Sequence, residues 1–214
     1  MDGLLINSEP LWVASEKKVF ETVGVHLTDE LCYQTFGMRI QEVVPYWHRK
    51  FPWDTGKKSF EQLSYEVIEN VISLINEKGS AFEGVVYILN FFHSKNIPMA
   101  LASSSPMRII DAVMGKLHIR ESFKVIYSAE NEEYGKPHPA VYISTAKLMG
   151  VDAIDCVAFE DSFNGIISAK AALMKTVAVP ELYNFYNPRF DIADVKLRKL
   201  KEFTEEEFNK INSL

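Results

Sequence analysis

The sequence predicts an α/β fold: a parallel sheet covered by helices on both faces, with a helical insertion near the N-terminus. Three observations carry this. From about Gly84 onward, short apolar runs alternate with helical patterns; residues 8 to about 80 show helical periodicity with no strand between; and polar clusters follow apolar runs where strands should end. A length of 214 residues, 47% of them hydrophobic and 24% charged, suits one large domain or a core with a smaller insert.

The elements follow in chain order. Trp12, Val19, Phe20 and Val23 make one helical stripe before Gly24, and Phe60, Leu63, Val67, Val71 and Leu74 make another before Gly79. The insert begins a few residues after Asp2-Gly3 and ends just before the strand–helix repeats, so it hangs over the first strand end as a lid. Val85, Val86, Leu89 and Phe92 share a helical face closed by Asn96, and Ile97 to Ala102 reads as a buried strand. Further helices are expected over 106–117, 139–149 and 164–173, with strands over 124–128, 156–159 and 176–179. This alternation implies right-handed crossovers and parallel pairing. In the tail, 194–197 reads as an edge strand and Thr204-Glu205-Glu206-Glu207 as a capping box opening a last helix. The basic cluster from Lys196 to Lys201 reads as solvated surface.

Composition narrows the function classes. A net charge of −6 excludes a broad nucleic-acid surface, although a small pocket can still be locally positive. No stretch approaches the ~20 apolar residues of a membrane span, and the start lacks the basic-then-apolar order of a signal peptide. Cys32 and Cys156 stand far apart without metal-ligand spacing and read as reduced structural thiols. The expectation is a cytoplasmic monomer with neither nucleic acid nor membrane as partner.

The polar clusters carry the chemistry, because ligands of parallel α/β sheets bind outside the carboxyl ends of the strands. Ser103, Ser104 and Ser105 precede a predicted helix, where hydroxyls and free N–H groups either cradle an anion or cap the helix. Lys136, between Gly135 and Pro137, is fixed in a loop and is able to hold a phosphate as a point charge. Glu160 and Asp161 end an apolar run, and adjacent carboxylates are costly to bury without a cation or a hydrogen-bond network. Oxygen ligands of this kind suit Mg²⁺. Side chains alternate along a strand, so Asp161 is assigned the direct metal contact and Glu160 a contact through water. The alternative is a helix N-cap preceded by a surface acid.

Taken together, the Asp2-Gly3 opening, the helical insert, Leu101-Ala102-Ser103-Ser104-Ser105-Pro106, Gly135-Lys136-Pro137-His138-Pro139 and Phe159-Glu160-Asp161-Ser162-Phe163-Asn164-Gly165 resemble the haloacid dehalogenase superfamily over the whole chain. The resemblance implies a Rossmann-like core over 1–7 and 84–214, with a helical cap over 8–83 inserted after a first strand that is absent or truncated. It implies Asp2 as general acid and then base, with its main-chain carbonyl on Mg²⁺ beside Glu160 and Asp161. Ser103, Ser104 and Lys136 would hold the phosphate, and Arg39 in the cap would reach the substrate from above or form a surface salt bridge.

Finer features, Leu4 to Trp12, Gly37-Met38-Arg39, Pro52-Trp53 and the stretch around Pro188-Arg189-Phe190, are similar to phosphatases of 2-deoxyglucose 6-phosphate and related hexose or hexitol phosphates. Related β-phosphoglucomutases carry a histidine where this chain has Trp12, which favours hydrolysis over isomerisation. In the family the opening reads Asp-x-Asp-Gly, its first Asp attacking phosphorus to form an aspartyl phosphate. Here that position falls immediately before Met1, and Met1 is expected to be an internal methionine of an Asp-Met-Asp-Gly motif. Without the preceding strand, a gap is expected between the strands at 97–102 and 156–159. Asn7 stands where an acid is common. The rival readings are a phosphomutase and a catalytically silent sugar-phosphate-binding protein.

Overall fold

The computed structural model describes residues 1–213. Helix α1 (Glu9–Glu21) starts at Glu9-Pro10, where a proline costs the helix no hydrogen bond. A short turn, α2 (Asp29–Cys32), is capped by Thr28, whose hydroxyl accepts from the Leu31 N–H. Helix α3 (Ile40–Lys50) runs through Pro45 and buries Ile40, Val43, Val44 and Trp47. Helix α4 (Phe60–Lys78) opens with a complete capping box between Ser59 and Gln62 and buries Leu63, Val67, Val71 and Ile75. The sequence stripes locate α1 and α4. They miss α3, where Pro45 reads as a breaker although the apolar spacing persists through it.

Strands and helices then alternate as expected: α5 (Val85–Ser94), β1 (Ala100–Ser103), α6 (Met107–Leu117), β2 (Val125–Ser128), α7 (Ala140–Met149), β3 (Val157–Glu160), α8 (Phe163–Ala171) and β4 (Lys175–Ala178). The strands of both sheets pair in parallel, which matches the α/β class, with Ala100 opposite Val125 in one sheet and Val157 opposite Lys175 in the other. β1 pairs with β2, and β3 with β4 and then β5 (Val195–Lys196); β1 and β3 are not hydrogen-bonded to each other. The division lies where the sequence places a gap.

Three details depart from expectation. Val86 is 66% exposed, because the buried face of α5 is Val85, Ile88, Leu89 and Phe92, a regular i, i+3, i+4, i+7 stripe. The last helix, α9 (Glu205–Asn212), forms without the predicted capping box, since the Thr204 side chain accepts no cap hydrogen bond. Ser103 to Ser105 do not cap α6 either: its N-cap is Pro106, and the Met107 N–H is met by Glu130 at 3.3 Å.

One apolar cluster runs without a break from Phe20, Trp47 and Val67 in the helical segment to Leu101 and Val177 in the sheets. α4 packs on α1, α3 and α6, so the helical segment is anchored on the layer of helices beside β1. Phe203 ties the tail into this core. It is fully buried, with its ring 4.9 Å from Phe159, 5.6 Å from Phe91 and 5.7 Å from Phe92. Phe203→Ala is expected to cost about 3–5 kcal/mol, read as a lower urea midpoint with an unchanged slope. A loss below about 1 kcal/mol would show that the rings close the cavity themselves.

Candidate active site

The carboxyl ends of β1 and β3 deliver Ser103 and Glu160 to one side of the molecule, and a cavity of about 390 Å³ opens there. Asp2, Ser103, Ser104, Lys136, Glu160 and Asp161 all line it. The opposite wall comes from the helical segment through Trp12, Glu16, Phe36, Met38, Ile40 and Val43. Sequence positions more than 150 apart thus meet at one place.

Asp2 is held by three donors. Its Oδ1 accepts from the Ser8 hydroxyl at 2.5 Å and the Trp12 indole N–H at 3.2 Å, and its Oδ2 accepts from the Ser105 hydroxyl at 2.7 Å. No hydrogen bond reaches its main-chain carbonyl among the described residues. Gly3, at φ +66°, lets the chain turn beside Asp161: a Cβ at Gly3 would sit 2.1 Å from Asp161 Oδ2. Ser103 is buried and its Oγ accepts from the Ser105 N–H at 3.1 Å, while the buried Ser104 Oγ has no partner.

Lys136 and Glu160 form a buried ion pair, Nζ to Oε1 at 2.5 Å, with side chains only 7% and 5% exposed. Tyr142 donates its hydroxyl to the same Oε1, and Ser162 donates to Oε2 at 3.2 Å. Gly165 makes room for the carboxylate; a Cβ there would lie 2.0 Å from its carbon. Burial pushes the Glu160 carboxyl up. The charge of Lys136, with the hydrogen bonds from Lys136 and Tyr142, opposes burial and holds it below the ordinary range.

Its neighbour Asp161 behaves oppositely. Burial first and the Glu160 charge second push it up to about 7, and among the described residues it has no hydrogen bond to another side chain. A hard divalent cation would relieve both effects, so the donor chemistry fits one. Among the described residues no three His, Cys, Asp or Glu side chains converge at metal-binding distance.

Arg39 does not line the cavity. Its guanidinium donates to the carbonyls of Glu132 at 2.8 Å, Glu133 at 3.2 Å and Ala129 at 3.3 Å, and pairs with Glu42 at 2.6 Å. It braces α3 against the loop before Lys136 instead of reaching a ligand from above.

Comparison with known proteins agrees with the motif order. Residues 1–179 match the model of the haloacid dehalogenase-like hydrolases. The chain belongs to this hydrolase family. It is 40% identical over 206 residues to hexitol phosphatase B of Escherichia coli K12, covering 95% of this chain and 91% of that protein. It is 29% identical over 172 residues to a phosphorylated carbohydrates phosphatase of Thermotoga maritima, covering 80% and 78%. Among solved structures, CbbY of Rhodobacter sphaeroides in complex with phosphate superposes with a TM-score of 0.87 at 22% identity, over 94% of this chain and 92% of that one. A β-phosphoglucomutase of Clostridium difficile gives 0.85 at 22% identity, over 99% and 94%. These two show that the chain shares their fold.

Two acids that line the cavity escaped the sequence analysis. Glu9 is pushed up to about 9 by burial, then by the hydrogen bond and charge of Glu181, then by the charges of Asp161 and Asp2. Glu16, in α1, is pushed up to about 7 by burial, with the Cys32 thiol and Trp47 indole partly opposing the rise. The spacing of Glu9 to Trp12 and Glu16 on one helix face was the available signal.

Glu16 generates a pH prediction. Its folded value of about 7 exceeds its ordinary 4.5, so between these the folded protein keeps a proton that the unfolded chain has released. This group therefore subtracts from stability as pH rises through that window. Relative to wild type, Glu16→Gln is expected to gain on the order of 3 kcal/mol between the two ends, read by urea unfolding at stepped pH. A difference that stays flat with pH would mean that the carboxyl is hydrated in solution.

Proposed function

We propose that this chain is a cytoplasmic, Mg²⁺-dependent phosphatase of small sugar phosphates. Its substrate class is hexitol and hexose phosphates, 2-deoxyglucose 6-phosphate among them, and it acts through an aspartyl phosphate. The observation that carries this reading is the meeting of Asp2, Ser103, Ser104, Lys136 and Asp161 around one cavity. The similarity to hexitol phosphatase B supports the substrate class.

Lys136 supplies a point charge to the phosphate, and Glu160 fixes its direction through the buried pair. Ser103 and Ser104 offer hydroxyls at the end of β1, the second with no partner in the fold. Asp2, steadied by Ser8, Trp12 and Ser105, protonates the leaving sugar oxygen and then takes a proton from the attacking water. Asp161 and the free main-chain carbonyl of Asp2 would hold Mg²⁺, with Glu160 contributing through water. When bound, the ion offsets phosphate charge. The attacking carboxylate is the one the family resemblance puts immediately before Met1. Trp12, which carries no titratable group, occupies the place of the mutase histidine, and hydrolysis is the favoured outcome.

Phosphate release from a panel of hexose and hexitol phosphates tests this, using both the 214-residue chain and a version with Asp added directly before Met1. Turnover should vanish on chelation and return with Mg²⁺, and Asp2→Asn should lower kcat by about 10²–10⁴. Tight binding of sugar phosphates by both proteins without turnover would replace the phosphatase reading with that of a sensor.

A further inference from the structure

On α1, Trp12 and Glu16 lie one turn apart on the same face. Trp12 reaches Asp2 at 3.2 Å, and Glu16, four residues on, lies about 6 Å further along the helix axis. Its surroundings are apolar or weakly polar: Cys32, Ile40, Val43 and Trp47. Glu16 is only 6% exposed and yet lines the cavity. The Cys32 thiol and the Trp47 indole lie near enough to favour its charged form, yet neither Glu16 Oε2 nor the Trp47 indole N–H completes a hydrogen bond of good geometry.

An acid buried in this way is a liability for folding, since a leucine of similar size would bring no carboxylate to desolvate. A ligand whose hydroxyl groups pass the wall would supply the missing donors. We propose that Glu16 determines specificity by accepting hydrogen bonds from the hydroxyls of the polyol chain whose phosphate lies at Ser103 and Lys136. The proposal rests on the phosphatase reading. Trp12, Phe36 and Met38 on the same wall offer apolar faces to C–H groups. The position of Glu16 a helical turn beyond Trp12 means that it reads the carbon chain and not the ester oxygen. Its raised proton affinity fits a group that waits for a donor.

Titration calorimetry of wild type, E16Q and E16L with a hexitol 6-phosphate and with inorganic phosphate tests this without requiring turnover. E16L should weaken the hexitol phosphate about ten- to hundredfold relative to inorganic phosphate, with a smaller loss in E16Q, which keeps the shape and one acceptor. Thermal unfolding of both variants checks that they are folded; E16L should be no less stable than wild type at neutral pH. Discrimination that survives both substitutions within about twofold overturns the role of Glu16 and leaves the phosphatase reading standing. Wild-type protein that binds the two probes alike overturns the substrate class and the role of Glu16 together.

Discussion

The site is organised by the buried pair of Lys136 and Glu160. Two opposite charges removed from water are tolerated only if their attraction and further hydrogen bonds repay the lost hydration. Here Tyr142 and Ser162 complete the carboxylate's shell. The constraint reaches into the backbone, because Gly165 must lack a side chain for the carboxylate to fit at the start of α8. The pair also ties the loop before α7 to the end of β3, whose strands have no hydrogen-bonded connection to those of β1 and β2.

That pairing explains why two adjacent carboxylates behave differently. Glu160 is neutralised by Lys136 and is satisfied, whereas Asp161 faces the same burial with no cation of its own. Burial and the charge of Glu160 raise its proton affinity, and a cation or donor beside it would lower it again. A single strand end thus produces one acid that serves the protein and one that is open to a ligand.

The fold was largely legible because its signals are local. Apolar runs of strand length followed by Ser103, Glu160 and Asp161 announce both the strands and the chemistry at their ends. Lys136 was legible for the same reason, held between Gly135 and Pro137. Arg39 and Glu16 were less so, since their roles depend on partners brought in by tertiary packing: Glu132 and Ala129 for the first, Cys32 and Trp47 for the second. Local rules were also overridden. Pro45 is carried inside α3, whose buried stripe of Ile40, Val43, Val44 and Trp47 outweighs the lost hydrogen bond. Val86 was assigned to the core because periodicity alone leaves the phase of a short apolar run uncertain by one residue.

Arg39 shapes the site from the helical segment without itself lining the cavity. A guanidinium has five donors in a planar fork, and here it is used on three loop carbonyls and one carboxylate. Those carbonyls belong to Ala129, Glu132 and Glu133, the stretch that leads into Lys136. The fit is close enough that a Cβ on Gly135 would lie 2.8 Å from Arg39 Nε. The direction of Lys136 is therefore set from two sides, by Glu160 below and by the Arg39 wedge beside the preceding glycine. A movement of α3 relative to the sheets would pull on the loop that carries the lysine, so the helical segment and the charge of the site are mechanically coupled through one side chain.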